Sequence, residues 1–292
     1  GMPNLEGKEG DYLTDALTDA AVDFIETADK DAPFLLYFAY YTVHGPIIAK
    51  DDLTAKYASK QTFNENDKTG YPAADKYAAM VQSLDESVGR VVSALEAQGL
   101  DKDTVIVFTS DNGGVNARGN NGPFRDGKAT PYEGGIREPL IIKWPGAIQA
   151  GSENETPVIG TDIYPTLLDI AGLPLKPREH RDGLSLVPLL TQKNDLERDA
   201  LYWHYPHYHK ANPYSAVRDG NLKLIEHFED GKLELYELSN DPTESQDLAK
   251  EQPEVAKRLH KKLTRWRKRI GAQIPYPNPN YDPEATWRRP QG

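Results

Sequence analysis

The sequence predicts an α/β fold: a mostly parallel sheet flanked by helices, with a small α+β subdomain at the C-terminal end. Two patterns carry this. Short apolar, β-rich runs at 34–41, 104–109 and 139–144 alternate with stretches whose apolar residues recur every three or four positions. That alternation marks a parallel sheet with crossover helices. After about residue 198 the period falls to two, and one amphipathic helix follows. The expected organisation is therefore an α/β domain over 1–198, an antiparallel-sheet-plus-helix subdomain over 199–272, and an extended Pro-rich tail over 273–292.

The elements follow in chain order. Gly1 before Met2 reads as a protease scar and is set aside. Leu13, Leu17, Ala20, Ala21, Phe24 and Ile25 share one face of a helix over 11–31. Phe34–Tyr41 (FLLYFAYY) is short, aromatic and continuous, as in a strand buried on both faces. Residues 51–70 read as polar and irregular. The strongest helix is 72–98, where Tyr77, Val81, Leu84, Val88, Val91 and Leu95 form an apolar stripe closed by Gly99. Thr104–Thr109 and Pro139–Trp144 are β-branched, apolar strands. A helix at 162–171 has Asp162 as its expected N-cap. Ala216–His227 and Gly231–Leu238 alternate like antiparallel strands. The last helix, 253–270, puts Val255, Leu259, Leu263, Trp266 and Ile270 on one face.

Composition removes several classes. No window approaches the run of apolar residues that spans a membrane. With 34 Lys and Arg against 45 Asp and Glu, the net charge of −11 argues against a general nucleic-acid binder. There is no cysteine, so there is no disulfide frame, thiolate zinc site or Cys nucleophile within these residues. Eight Lys and Arg crowd Lys257–Arg269, but the apolar face of that segment favours an ordinary docked helix with a solvated back.

Ligands of an open α/β sheet bind beyond the carboxyl ends of its strands. Phe34–Tyr41 delivers His44 there, a candidate general acid or oxyanion donor. Thr104–Thr109 delivers Asp111 and Asn112, hard oxygen donors suited to Ca²⁺ or Mg²⁺; the same Asp-Asn-Gly-Gly is also ordinary turn chemistry. The Gly-rich segment 122–144 holds Arg125, Lys128, Glu133 and Arg137, and a lysine near a metal would bind a tetrahedral oxyanion as a point charge. Charges pairing within a solvated loop is the simpler account of that segment alone. Trp203–Lys210 (WHYPHYHK) reads as an aromatic, hydrogen-bonding rim for a polar substrate, with His207 its candidate contact.

Taken in order, His44-Gly45-Pro46, SLDESVGRVVSALEAQGL, TVIVFTSDNGG, NGPFRDGKATPYEGGIREPLIIKWPG, DIYPTLLDIAGLP, DGLSLVPLL and YELSNDPTESQDLA closely resemble the C-terminal part of the sulfatase family, within the alkaline phosphatase superfamily. The resemblance covers nearly the whole chain. It implies a sulfuric ester hydrolase with an octahedral Ca²⁺ cofactor. Its nucleophile would be a formylglycine made from a Cys/Ser-x-Pro-x-Arg motif. It further implies that Asp111 and Asn112 are metal ligands, that Lys128 contacts the sulfate, and that His44 contacts the sulfate or protonates the leaving alcohol. The implied partner is a sulfated small molecule or carbohydrate, and the implied location is periplasmic or otherwise exported.

The sequence departs from the family at one end. No Cys/Ser-x-Pro-x-Arg occurs, and the family's N-terminal Asp pair is missing. The chain is thus expected to be an N-terminally truncated sulfatase. Two protein oxygens fall short of the six or more that Ca²⁺ takes, so weak or no metal binding and negligible turnover are expected. Loss of the family's first strand would expose sheet edges and invite self-association. Two other readings stay open: a phosphonate or phosphodiester hydrolase of the same superfamily, and a non-catalytic binding module.

Overall fold

The computed structural model describes residues 7–58, 74–116, 118–193 and 195–282. The chain divides into two compact units, Gly1–Gly122 with Arg137–Leu196, and Pro123–Ile136 with Glu197–Gly292.

The first unit is helical over a small sheet. Helix α1 (Leu13–Thr27) lies against α3 (Ala74–Ala97), and α2 (Asp51–Ala58) also packs on α3. The sequence reading of 51–70 as irregular is corrected over 51–58; residues 59–70 lie outside those described, as do the first two positions of the expected 72–98 helix. The two long helices form where periodicity puts them, but each is rotated from the expected face. Thr14, Thr18, Ala21 and Ile25 are buried on α1, and Ala79, Met80, Ser83, Ser87, Ala94 and Leu95 on α3, while Leu13, Phe24 and Val81 stay exposed. Small side chains let the helix backbones approach closely. The buried hydroxyls are satisfied locally, Thr18 Oγ1 donating to the Thr14 carbonyl at 2.6 Å and Ser83 Oγ to that of Ala79 at 3.1 Å.

Strands β1 (Ile106–Thr109) and β2 (Leu140–Lys143) form a two-stranded sheet, and Ile106 joins the cluster of Ile25, Ala94 and Leu95. The pairing is antiparallel, Thr109 opposite Leu140 and Ile106 opposite Lys143. The expectation of a mostly parallel sheet assigned no direction to this pair, which runs the other way. The reason lies in the connection: residues 110–139 leave and return at the same end of the sheet, without the crossover helix that a parallel pair requires. Phe34–Tyr41 is extended but pairs with no strand among the described residues, and it is not buried on both faces. Phe34, Phe38 and Tyr40 turn inward, whereas Leu35, Tyr37 and Tyr41 are 73%, 89% and 60% exposed. Only one side is covered. Helix α4 (Glu133–Ile136) belongs to the second unit. In the first, α5 (Ile163–Ile170) and α6 (Val187–Leu190) are joined through Asp162. Its carboxylate does not cap α5 as expected; it accepts the Ile159 and Leu184 amides at 2.9 Å each.

The second unit is an antiparallel meander of β3 (Leu201–Tyr205), β4 (Tyr214–Asp219), β5 (Leu222–His227) and β6 (Leu233–Glu237), in that order. The expected run 216–227 is two strands, turned at Gly220 with φ +60°, a conformation that glycine adopts without strain. No strand was expected at β3. Alternation with period two gives the sheet two apolar faces. Val217, Leu224 and Leu235 meet α7 (Pro253–Ile270) through Leu259, Leu263 and Trp266. Each buried leucine contributes about 1.5–3 kcal/mol, and Trp266 stacks on Tyr202 with ring centroids 4.8 Å apart. Gly271, at φ +67°, ends the helix and donates its amide to the carbonyls of Arg267 and Lys268.

The other face holds Tyr214, Ala216, Ile225 and Tyr236, covered by Tyr132 from 123–136. That segment was assigned to the N-terminal domain on sequence. It groups with the sheet because its side chains are tied there. Arg125 lies 3.7 Å from the centroid of the Tyr132 ring and donates to the Tyr236 hydroxyl and the Glu244 carbonyl, both at 3.0 Å. Lys223, fully buried, sits 2.9 Å from Glu133 and 2.8 Å from Glu244. Residues 273–282 carry no helix or strand, and 283–292 lie outside the described residues.

Candidate functional site

β1 hands the chain to Ser110-Asp111-Asn112-Gly113-Gly114, with Asp111 exposed and Asn112 half-buried. Asn112 Nδ2 donates to the Gly113 carbonyl at 3.2 Å, which leaves the amide oxygen, the atom a hard cation takes, outside that bond. The loop beyond is closed by Asn121, whose side chain accepts the Gly114 amide at 3.0 Å and donates to its carbonyl at 2.9 Å. The antiparallel register brings in a carboxylate that sequence reading missed. Because Thr109 pairs with Leu140, Asp111 and Glu138 come side by side two positions further out. Burial, and then the Asp111 carboxylate, push the Glu138 carboxyl up to about 7, against the opposing pull of the Ser110 hydroxyl. Burial and the Glu138 carboxylate likewise raise the Tyr77 phenol. Nothing local in the sequence signals Glu138, since only the register joins it to Asp111.

His44 sits in the turn after the extended segment, its amide donating to the Tyr41 carbonyl at 2.8 Å. Its Nδ1 lies 2.9 Å from the Gly45 carbonyl. A carbonyl can only accept, so Nδ1 carries the proton and Nε2 is the ring nitrogen open to a ligand. Asp111, Asn112 and His44 all belong to the first unit.

Lys128 and His207 belong to the second. Lys128 is half-buried and stands between Asp126 and Ala129, both left-handed at φ 61° and 68°. Thr130 Oγ1 donates to the Gly127 carbonyl at 2.8 Å and the Gly134 amide to that of Arg125 at 2.9 Å, which folds 125–130 back over α4. The fold-back requires Gly134 and Gly135. A Cβ on the first would stand 2.3 Å from the Asp126 carbonyl oxygen, and on the second 2.5 Å from that of Gly127. Of the charges in this segment, Glu133 is spent on Lys223 and Arg125 on Tyr132, Tyr236 and Glu244. Lys128 has no carboxylate partner among the described residues, so the pairing of charges within the loop does not extend to it.

The three histidines of WHYPHYHK do different things. His204 is structural: Nδ1 is 2.7 Å from Ser215 Oγ and Nε2 2.8 Å from the Gln273 carbonyl, and burial holds its pKa below the ordinary value. His209 Nδ1 is 3.4 Å from the Tyr205 hydroxyl. His207 is exposed and meets the Tyr205 ring edge to face at 5.3 Å, and Tyr205 in turn stacks on Tyr214.

The oxygens of Asp111 and Asn112 suit Ca²⁺ in kind but not in number. Among the described residues no three His, Cys, Asp or Glu converge as a cation site. These residues fit one side of a coordination shell. No described helix is long and apolar enough to cross a membrane.

Residues 2–173 match the family Sulfatase, and 121–269 match N-sulphoglucosamine sulphohydrolase, C-terminal. A sulfatase of Formosa agariphila is 39% identical over 281 residues, covering 87% of this chain and 50% of that protein. The N-acetylgalactosamine-6-sulfatase of Mus musculus is 36% identical over 72% of this chain and 38% of its own length. The crystal structure of Ps i-CgsB in complex with k-i-k-neocarrahexaose superposes with a TM-score of 0.78 at 32% identity, covering 89% of this chain and 56% of that one. The chain thus spans about half, or less, of the length of these curated relatives. With more than half of its residues inside the family match, this chain belongs to the sulfatase family.

Proposed function

We propose that the chain is the anion-holding part of a hydrolase that cleaves sulfate esters on carbohydrates. The observation that carries this is Lys128. Its ammonium is left unpaired in a loop built on two left-handed residues and two obligatory glycines, while the charges beside it are neutralised. The carbohydrate substrate is supported by the similarity to Ps i-CgsB, whose complex holds a neocarrahexaose, and by the Tyr205–His207 rim. An exported location belongs to the same proposal.

In this reading Lys128 binds a non-bridging sulfate oxygen as a point charge. His44, protonated on Nε2, donates to the ester oxygen as the alcohol leaves, and returns to neutral imidazole. His207 contacts the sugar. Asp111 and Asn112 would hold one side of a Ca²⁺, which when bound supplies Lewis-acid polarisation of the sulfate. The formylglycine nucleophile belongs to a segment outside these 292 residues, which hold no Cys/Ser-x-Pro-x-Arg; alone they are inactive.

The test is sulfate release, by ion chromatography, from sulfated oligosaccharides. The protein used is this chain joined to a nucleophile-bearing segment, with formylglycine conversion verified by mass spectrometry. We expect turnover that falls roughly 10²-fold or more in Lys128→Ala, the range for losing one oxyanion donor. No release from fully converted protein overturns the proposal. Faster cleavage of phosphonate or phosphodiester substrates would replace it with the phosphoryl-transfer reading.

A further inference from the structure

We propose that the outer face of α7 is a docking surface for a sulfated polysaccharide, an extended polyanion held by Lys257, Lys261, Arg265 and Lys268. The structure sorts the cations of this helix into two sets. Arg258 and Lys262 reach Asp219 at 2.9 and 3.0 Å, Lys262 also reaches Asp199 at 2.8 Å, and Arg267 reaches Glu226 at 2.6 Å. Arg269 lies beside Tyr202. These groups fasten the helix to its own sheet.

The other four do nothing of the kind. Lys257, Lys261, Arg265 and Lys268 are exposed, and among the described residues none has an ion-pair partner. Their spacing of four, four and three residues keeps them within about 80° of one another around the axis, along roughly 16 Å of helix. Glu254, one turn before Lys257, is the acid that shares this stripe. Like charges four residues apart repel by a few tenths of a kcal/mol each. The C-terminal end of the helix dipole compensates Lys268, but Lys257 and Lys261 lie too far back for it. Apart from Glu254 at its start, no acid among the described residues is paired with the stripe to offset that repulsion, whereas a linear polyanion would.

The stripe exists on a chain of net charge −11, so it stands against an acidic background. It has no exposed aromatic side chain between its cations, since Trp266 is buried against the sheet. A single-stranded nucleic acid would ask for such stacking platforms. Sulfate groups ask only for positive points in line. The choice of polymer rests on the sulfated-carbohydrate reading above, but binding at this face needs no nucleophile and no turnover.

Retention on heparin-agarose across a salt gradient, with underivatised agarose as the blank, tests this on the full 292-residue chain. We expect K257Q/K261Q/R265Q/K268Q to elute at much lower salt, with the slope of log affinity against log salt reduced by roughly 3, taking the single-strand polyphosphate value per charge. K257R/K261R/K268R should behave as the parent, and so should K102Q/K143Q, which removes exposed cations elsewhere. Circular dichroism shows whether the glutamine variant keeps its helix. The proposal is overturned if the parent is not retained, if the glutamine variant elutes with the parent, or if a double-stranded DNA column holds the parent as tightly as heparin. Because no catalysis is read, failure here leaves the sulfatase reading standing, and an inactive enzyme would leave this one standing.

Discussion

Lys223 offers the sharpest test of how the second unit is held. Its ammonium is fully buried, 2.9 Å from Glu133 and 2.8 Å from Glu244, with Arg218 another 3.7 Å from Glu133. At an effective dielectric of about 20, each close pair attracts by roughly 6 kcal/mol. Burying three charges costs several kcal/mol apiece, so the intact cluster comes out near neutral. Removing the central charge is different. Lys223→Met strands two carboxylates in a sheet face closed by Tyr132 and Tyr236. Burial already pushes Glu244 above the ordinary range despite the lysine beside it. The expected loss is about 3–5 kcal/mol, or about 12–40 °C in Tm for a unit of this size. E133Q/K223M/E244Q, which removes all three charges, should lose much less. Urea unfolding followed by tryptophan fluorescence in a Trp144→Phe background, which leaves Trp203 and Trp266 reporting from this unit, reads it directly. A single variant within about 1 kcal/mol of the parent, or a triple variant as unstable as the single, would refute the reasoning.

Two further outcomes follow from the same geometry. Gly134→Ala puts a methyl 2.3 Å from the Asp126 carbonyl oxygen, so the 125–130 fold-back must open; limited proteolysis should cut beside Lys128 in the variant and not in the parent. The second concerns acid. Burial alone would raise Glu234, but His227, Lys232, Tyr236 and Tyr132 gather on it and hold its carboxyl well below the usual range. A depressed carboxyl contributes stability that is present above its unfolded value, about 4.3, and is lost as pH falls below that value. Urea midpoints of the parent should therefore drop steeply under pH 4.3, and Glu234→Gln should start lower and flatten that drop. An identical slope in both would remove Glu234 from the account.

How far the sequence announced this molecule depends on which forces leave a local trace. The helices α1 and α3 were legible to within a few residues, because 3.6-residue periodicity is local. Their buried faces were not, because close helix packing selected Thr14, Thr18, Ser83 and Ser87 over larger neighbours such as Phe24 and Val81. Strand direction and partner leave no periodic signature, so the expectation of a mostly parallel sheet did not single out the antiparallel β1–β2 pair, and with that went any means of finding Glu138 beside Asp111.

Lys223 shows the same limit from the other side. In Leu222-Lys223-Leu224-Ile225 a lysine between leucines reads as the solvent face of an edge-on sheet. It is buried because 123–136, about ninety residues earlier in the chain, covers that face and brings Glu133 with it. The segment that carries Lys128 is therefore anchored by a turn, Asp241–Glu244, that a residue-by-residue reading assigns to another domain. Glu244 accepts the Glu133 amide at 2.6 Å and its carbonyl accepts Arg125, so one residue with φ 52° fixes both ends of the loop. The Lys128 loop and the C-terminal sheet are thus one mechanical object, and substitutions at Glu244, far from Lys128 in sequence, should act first on the ordering of that loop.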